Sequence, residues 1–241
     1  MDNVFAEMGS YWVEIADENQ TGIQIQFLKN NIEEDKYIID VACGSGRHTT
    51  VLSKAGYCII GIDISANLLK IAKQRGAPNL VMGDLRFLPF KSNIFNAAIS
   101  MDTSFGYMQS KKGDLQSIAE VRRILTKGAK FILDVFNREK LVAKYHEKTS
   151  LKNLREYHSF YLEQERTVNK SKTRLCDEWT ISIKTGGQPK HFMHSVRLYK
   201  PPELEALLLG EGFTINSLFG DYEGQEYRIN SPRLIIIAIK K

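Results

Sequence analysis

A chain of 241 residues, 43% hydrophobic and 25% charged with a net charge of +5, reads as one α/β domain or one domain with an insertion, and its composition excludes disordered and fibrous classes. The longest apolar run, Leu234 to Ile239, is too short to cross a bilayer, and the N-terminus carries Asp2 and Glu7 in place of an apolar leader, so a cytoplasmic protein without a membrane partner is expected. Cys43, Cys58 and Cys176 form neither a CxxC pair nor a His/Cys cluster, which argues against a disulfide framework and against a metal site.

Asn3 to Asp17 reads as an amphipathic helix. Lys36 to Val41 is the first strand, followed by a helix from Arg47 to Ala55 that stops at Gly56. Cys58 to Ile62 is a second strand, and Ser65 caps a helix running to Gln74. Leu80 to Met82 and Ile94 to Met101 supply two further strands, Asp114 to Leu125 a helix with one apolar face, and Ala129 to Val135 a fifth strand. This alternation of strands and helices predicts a mostly parallel sheet.

From Arg138 the pattern changes. A short helix to His146 precedes three segments with antiparallel character, Tyr157 to Arg166, Thr173 to Lys184 and Lys190 to Tyr199, with a hairpin turn at Gly186-Gly187. The chain's basicity is concentrated here: residues 138–200 hold 14 Lys/Arg against 7 Asp/Glu, which marks the segment as a substrate lid. A helix after Pro201-Pro202 and strands Phe213 to Phe219 and Arg233 to Lys240 return to the parallel theme. Three regions follow: 1–137 for the ligand-binding part, 138–200 for the lid and 201–241 for the return to the core sheet.

The chemistry-bearing motif is Asp40-Val41-Ala42-Cys43-Gly44-Ser45-Gly46, placed directly after a strand and before a helix, where backbone approaches a ligand closely and helix N–H groups face it. Asp63 ends the next strand, 17 residues beyond Gly46, the position of the ribose-binding acid in nucleotide-binding βαβ units. A dinucleotide fingerprint would place a third glycine where Thr49 stands.

These residues, with Gly61-Ile62-Asp63, Gly83-Asp84-Leu85 and Phe95 to Met101, resemble the class I S-adenosylmethionine-dependent methyltransferases, and Gly46-Arg47-His48 resembles a small-molecule Gly-x-Gly-Arg-His subgroup of them. Ala42 replaces the family's first glycine, which suits a position that needs a small side chain more than a positive φ. The resemblance implies a Rossmann-like seven-stranded sheet of order 3-2-1-4-5-7-6 with the last strand antiparallel and an antiparallel β insertion as lid. It also implies a site for S-adenosylmethionine, released as S-adenosylhomocysteine. Asp63 would take the ribose hydroxyls, Asp84 the adenine amino group, and Ile64 and Leu85 the ring faces. The Ala42 carbonyl and Met101 backbone would hold the ammonium with Asp40 behind them, Arg47 would face the carboxylate, and Tyr11 of Tyr11-Trp12 would fold over the cofactor.

Methyl transfer needs alignment and, where necessary, removal of a proton, so many acceptor sites suffice. The chain has Met101-Asp102-Thr103-Ser104-Phe105-Gly106-Tyr107 after the fourth strand, without the Pro-Pro-Tyr of enzymes that methylate amines of nucleic-acid bases. Candidate catalytic or substrate-contacting residues are Arg197 and Tyr199, which point to one side of a strand, Asp221 at the end of the sixth core strand, and Tyr107. His158 is read as half-buried on the first lid strand, and only one of His191 and His194 can face a pocket. The expected partner is a small-molecule amine or hydroxyl acceptor, met by a monomer or homodimer. Two alternatives stay open: a nicotinamide-dependent oxidoreductase using Tyr107 and Lys111, and an RNA methyltransferase or RNA-binding module using the basic insertion.

Overall fold

The apolar runs become the seven strands of one sheet in a computed structural model that describes residues 4–15, 20–33, 36–145 and 150–241. Three helices come first: α1 (Val4–Met8), α2 (Ser10–Ile15) and α3 (Thr21–Asn31). Then β1 (Tyr37–Val41), α4 (Arg47–Lys54), β2 (Cys58–Asp63), α5 (Ala66–Gln74), β3 (Leu80–Met82), β4 (Phe95–Ser100), α6 (Lys111–Ile124) and β5 (Leu125–Phe136) alternate. The chain then forms α7 (Arg138–Lys144) and four strands, β6 (Leu151–Glu156), β7 (Phe160–Val168), β8 (Arg174–Ile183) and β9 (Lys190–Arg197). It returns through α8 (Pro201–Gly210), β10 (Phe213–Phe219) and β11 (Arg233–Lys240).

The large sheet has the order β10-β11-β5-β4-β1-β2-β3, and β11 runs antiparallel to both neighbours, as the family resemblance implies. Both faces are buried. Ile39 joins Phe95, Phe131 and Leu204 on one side, while its neighbour Ile38 joins Phe27, Leu52 and Ile237 on the other. Full burial of each such side chain contributes about 1.5–3 kcal/mol, which is why the strands read as continuous apolar runs and not as alternation. β1 pairs with β2 on one side and β4 on the other, so the connections after β1 and β4 leave in opposite directions and open a crevice at the strands' C-terminal ends.

The second sheet, β6-β7-β8-β9, is antiparallel throughout. Phe160, Leu162, Trp179, Ile181 and Phe192 on one of its faces pack against Met8, Phe5, Tyr11 and Trp12 of the first two helices. Several boundaries differ from the sequence reading. The expected N-terminal helix is two short ones, broken at Gly9, whose φ is +49°. α7 ends at Lys144, and the expected end at His146 lies outside the described residues, as do Asn3 and Asp17. Strand β6 was not expected, the next strand starts at Phe160 and not at Tyr157, and β9 stops at Arg197, two residues short of Tyr199. His158 is therefore an exposed residue in the β6–β7 turn and not a half-buried strand residue. α6 starts three residues early because Ser110 accepts from the Gly113 amide and caps it.

Candidate active site

The turn joining β1 to α4 holds three left-handed residues, Ala42 (φ +59°), Gly44 (φ +54°) and Gly46 (φ +71°). The two glycines serve different ends. A Cβ on Gly46 would lie 2.8 Å from the Ala72 Cβ of α5, so this glycine lets two helices close, whereas a Cβ on Gly44 would meet nothing within 4 Å. The open side of Gly44 borders the crevice and admits a ligand against the backbone. Ala42 does adopt the positive φ that the sequence reading set aside, at a cost of about 1–2 kcal/mol for an L residue. Ala42→Gly is expected to raise stability by about 0.5–1 kcal/mol once the greater chain entropy of glycine is subtracted, measured as a higher denaturation midpoint with an unchanged slope.

Three carboxylates line or support this turn. Asp63 lines the crevice and accepts from the Gly44 amide at 2.9 Å on one oxygen and from the Ser65 amide at 2.8 Å on the other; burial raises its pKa. Asp40 is buried behind the turn and accepts from the Thr49 hydroxyl at 2.6 Å, and desolvation pushes its pKa up to about 6. Thr49, which stands where a dinucleotide site would have glycine, thus supports the acid of the motif. Asp84 is held by Arg86, whose guanidinium keeps the carboxyl below its usual range.

Ala42, Gly44, Asp63, Ile64, Asp84 and Leu85 converge on one cleft of about 130 Å³, which Phe5 and Trp12 border from the N-terminal helices. Tyr11 is not at this cleft: its ring meets Phe160 of the lid edge-on, and Trp12 takes the place expected of it. Arg47 reaches Thr21 at 2.8 Å and pairs with Asp102. The Met101 carbonyl accepts from the Ser104 hydroxyl at 2.7 Å. Arg197 and Tyr199 do point the same way, but both end on one oxygen of Asp114, at 2.9 and 2.7 Å, and tie the lid to α6. Asp221 lies on the wall of a larger cavity, yet one of its oxygens accepts from the Glu223 and Gln225 amides and fixes its own loop. Tyr107 is packed between Phe5 and His194, and burial drives its pKa upward, so the phenol keeps its proton. Of the paired lid histidines it is His194 that faces a pocket, one of about 430 Å³ shared with Tyr107, while His191 is exposed. Lys111, the partner that the oxidoreductase reading gives Tyr107, is exposed at the start of α6.

Residues 38–128 match the family model described as a methyltransferase domain. The CcbJ methyltransferase from Streptomyces caelestis shares the fold with a TM-score of 0.83 at 13% identity, over 97% of this chain and 96% of that one. An S-adenosylmethionine-dependent methyltransferase from Clostridium acetobutylicum gives 0.78 at 19% identity over 99% and 98%. An S-adenosylmethionine-bound amino pentose methyltransferase from Micromonospora echinaspora, involved in calicheamicin biosynthesis, gives 0.70 at 13% over 96% and 95%. At such identities the likeness is one of fold, and it agrees with the domain match and with the glycine turn. Residues 38–128 carry a methyltransferase domain, on a fold shared with S-adenosylmethionine-dependent methyltransferases.

The chain also contains a polar network that the sequence reading missed. Asp134, fully buried near the end of β5, accepts from Arg233 Nε at 2.8 Å, the Tyr222 hydroxyl at 2.7 Å and the Asp102 amide at 2.8 Å. Gln24 of α3 donates to Tyr222 at 3.1 Å and to Asp102 at 3.3 Å, and its oxygen faces His48 Nε2 at 2.9 Å. Gln24 thereby requires the proton of His48 on Nε2. Burial and the neighbouring Arg47 push His48 down to about 4, so it is neutral at pH 7. Asp134 is the one signal the sequence offered, an acid inside the apolar run Phe131 to Phe136. The network forms the floor of a cavity of about 820 Å³ that starts at Ala42 and Gly44 and is roofed by Gln164, Arg166 and Trp179 of the second sheet.

Proposed function

We propose that this methyltransferase transfers the methyl group of S-adenosylmethionine to an amine or hydroxyl of a small molecule held beneath the lid. The observation that carries the reading is the 820 Å³ cavity, which opens from the glycine turn and is bounded by the β7–β8 face, a chamber of the size that small-molecule sites have. The amino pentose acceptor named for the Micromonospora enzyme favours the amine. On this reading residues 1–137 provide the cofactor part, 138–200 the lid and 201–241 the closing strands, and the setting is cytoplasmic. Among the described residues no helix is long and apolar enough to cross a membrane.

The cofactor's fit rests on the open side of Gly44 and on the Asp63 carboxylate in the cleft wall. Asp63 would accept both ribose hydroxyls, Ile64 and Leu85 would flank the base, and Asp40 would balance the ammonium through the turn. When bound, S-adenosylmethionine supplies an electrophilic methyl group. The chain's own residues then align the acceptor and exclude water. Tyr107 and His194 line the neighbouring pocket of about 430 Å³ and not this cavity, and burial keeps the phenol protonated and the imidazole neutral.

Calorimetric titration with S-adenosylhomocysteine tests the cofactor reading. Wild type should bind, and Asp63→Ala should lose about 10- to 100-fold in affinity as two charge-assisted bonds to the ribose disappear. No binding by wild type, or the same affinity in Asp63→Ala, would sink it.

A further inference from the structure

The wall of the 820 Å³ cavity carries six basic side chains against three acidic ones, and the basic ones fall into two groups. Arg47, Arg166 and Arg233 are committed to Asp102, Asp177 and Asp134. Lys140, Lys144 and Arg155 have no hydrogen bond or ion pair among the described residues. The acids of the wall do not answer them: Asp102 is taken by Arg47, one oxygen of Asp221 by two loop amides, and Glu223 is exposed.

Strand geometry turns Arg155 inward. Its partner in the β6–β7 register is Leu162, fully buried and on the same face as the roof residues Gln164 and Arg166. The outward charges of the same strand find partners across the sheet: Lys152 pairs with Glu165 at 3.1 Å and Glu156 with Lys184 at 2.6 Å. The inward charge of β6 has none. Lys140 and Lys144 stand four residues apart on α7, hence on one face, and both border the cavity. The helix dipole favours a lysine in the last turn, but like charges at that spacing weaken a helix. An anion between them would remove that repulsion.

We propose that Lys140, Lys144 and Arg155 hold an acidic group of the methyl acceptor, a phosphate or a carboxylate, so that the acceptor is an anionic small molecule. The inference rests on the reading that this cavity receives the acceptor, and it names the acceptor's chemical class. The guanidinium of Arg155 offers a planar fork that matches either group, and the two ammonium groups add charge without demanding one geometry. All three border this cavity and not the cleft lined by Asp63 and Asp84.

Trp12 and Trp179, the chain's two tryptophans, both line the cavity, so their fluorescence reports on its contents. Inorganic phosphate and acetate are titrated at constant ionic strength into the S-adenosylhomocysteine-loaded protein. Wild type is compared with the triple variant Lys140→Gln/Lys144→Gln/Arg155→Gln and with Lys152→Gln, which removes an outward cation. All four side chains are exposed, so the variants should keep the fold. At least one anion should bind wild type and bind the triple variant about 10-fold or more weakly, the loss of one or more charge-assisted hydrogen bonds. Lys152→Gln should stay within about 2-fold of wild type. The tighter anion identifies the acceptor's group. Calorimetric affinity for S-adenosylhomocysteine should agree within about 3-fold in all three proteins.

No binding of either anion, or an affinity unchanged in the triple variant, overturns the proposal. An equal loss in Lys152→Gln does so too, because it marks a diffuse surface attraction. A matching loss of S-adenosylhomocysteine affinity in the triple variant overturns it by assigning the cations to the cofactor's own carboxylate. Failure of wild type to bind S-adenosylhomocysteine removes the cofactor reading and the acceptor site with it. Binding of S-adenosylhomocysteine without either anion removes this inference alone.

Discussion

Asp134→Ala is expected to destabilise the protein by roughly 3–5 kcal/mol, the range for stranding one partner of a buried ion pair. Arg233 is almost as deeply placed as Asp134, with its side chain 13% exposed against 0%, so loss of the carboxylate leaves a guanidinium with little water to turn to. Attraction to Asp134 and Tyr222 outweighs the burial penalty and holds the Arg233 pKa above its normal value, so it does not escape by losing its proton. Two further donors are orphaned at once, the Tyr222 hydroxyl and the Asp102 amide. For a chain of this size the loss corresponds to a fall in Tm of roughly 6–20 °C. Calorimetric unfolding of Asp134→Ala, Arg233→Met and the double variant checks it. The double variant should be much less destabilised than the sum of the singles, because removing both charges removes the stranded one. A single variant within about 1 kcal/mol of wild type would show that the network is not what closes the floor.

Asp134 also shows how far the sequence could be read. The parallel core was legible because a sheet buried on both faces needs mostly apolar runs, and residues 37–41, 58–63 and 95–100 provide them with few polar interruptions. Strand β6 was invisible for the converse reason. All its positions past Leu151 are exposed, and Leu-Lys-Asn-Leu-Arg-Glu has neither period 2 nor turn punctuation, so only pairing with β7 makes it a strand. Ile23, Ile25 and Phe27 of α3 alternate with polar residues in the manner of a strand, and packing of Ile25, Phe27 and Leu28 under the sheet overrides that local pattern.

The same division runs through the site. Residues fixed by local backbone need, Gly44, Gly46 and the strand-ending Asp63, could be named from spacing. Those defined by who meets whom across the fold could not: Gln24 and Tyr222 lie 198 residues apart and Arg197 and Asp114 are 83 apart. Arg197 and Tyr199 were expected on one side of a strand; the strand ends at Arg197, yet both side chains reach one oxygen of a buried carboxylate that the alternation could not reveal.

Asp40 offers the sharpest link between site and stability. Its folded pKa of about 6 lies some 2 units above that of an exposed aspartate. The native protein therefore keeps this proton at pH values where the unfolded chain has lost it, so the group's stabilisation is full below about pH 4 and is lost as pH rises to about 6. Above that, the native state carries a desolvated charge, costing on the order of 3 kcal/mol at pH 7 relative to acid. Asp40→Asn removes the titration and keeps an acceptor for the Thr49 hydroxyl. Relative to wild type, the variant should be nearly neutral at pH 4 and more stable by about 2–3 kcal/mol at pH 7, the other carboxylates cancelling in the difference. Denaturant unfolding at pH 4, 5, 6 and 7 reads this directly, and a flat difference across the series would sink the account. S-Adenosylhomocysteine should bind the same variant less tightly at pH 7, where the wild-type carboxylate is ionised behind the turn that receives an ammonium group. A residue whose neutral replacement improves the fold and impairs the ligand is held in place by the ligand, and the opposite signs of these two measurements separate Asp40 from the structural acid Asp134, whose loss should harm the fold.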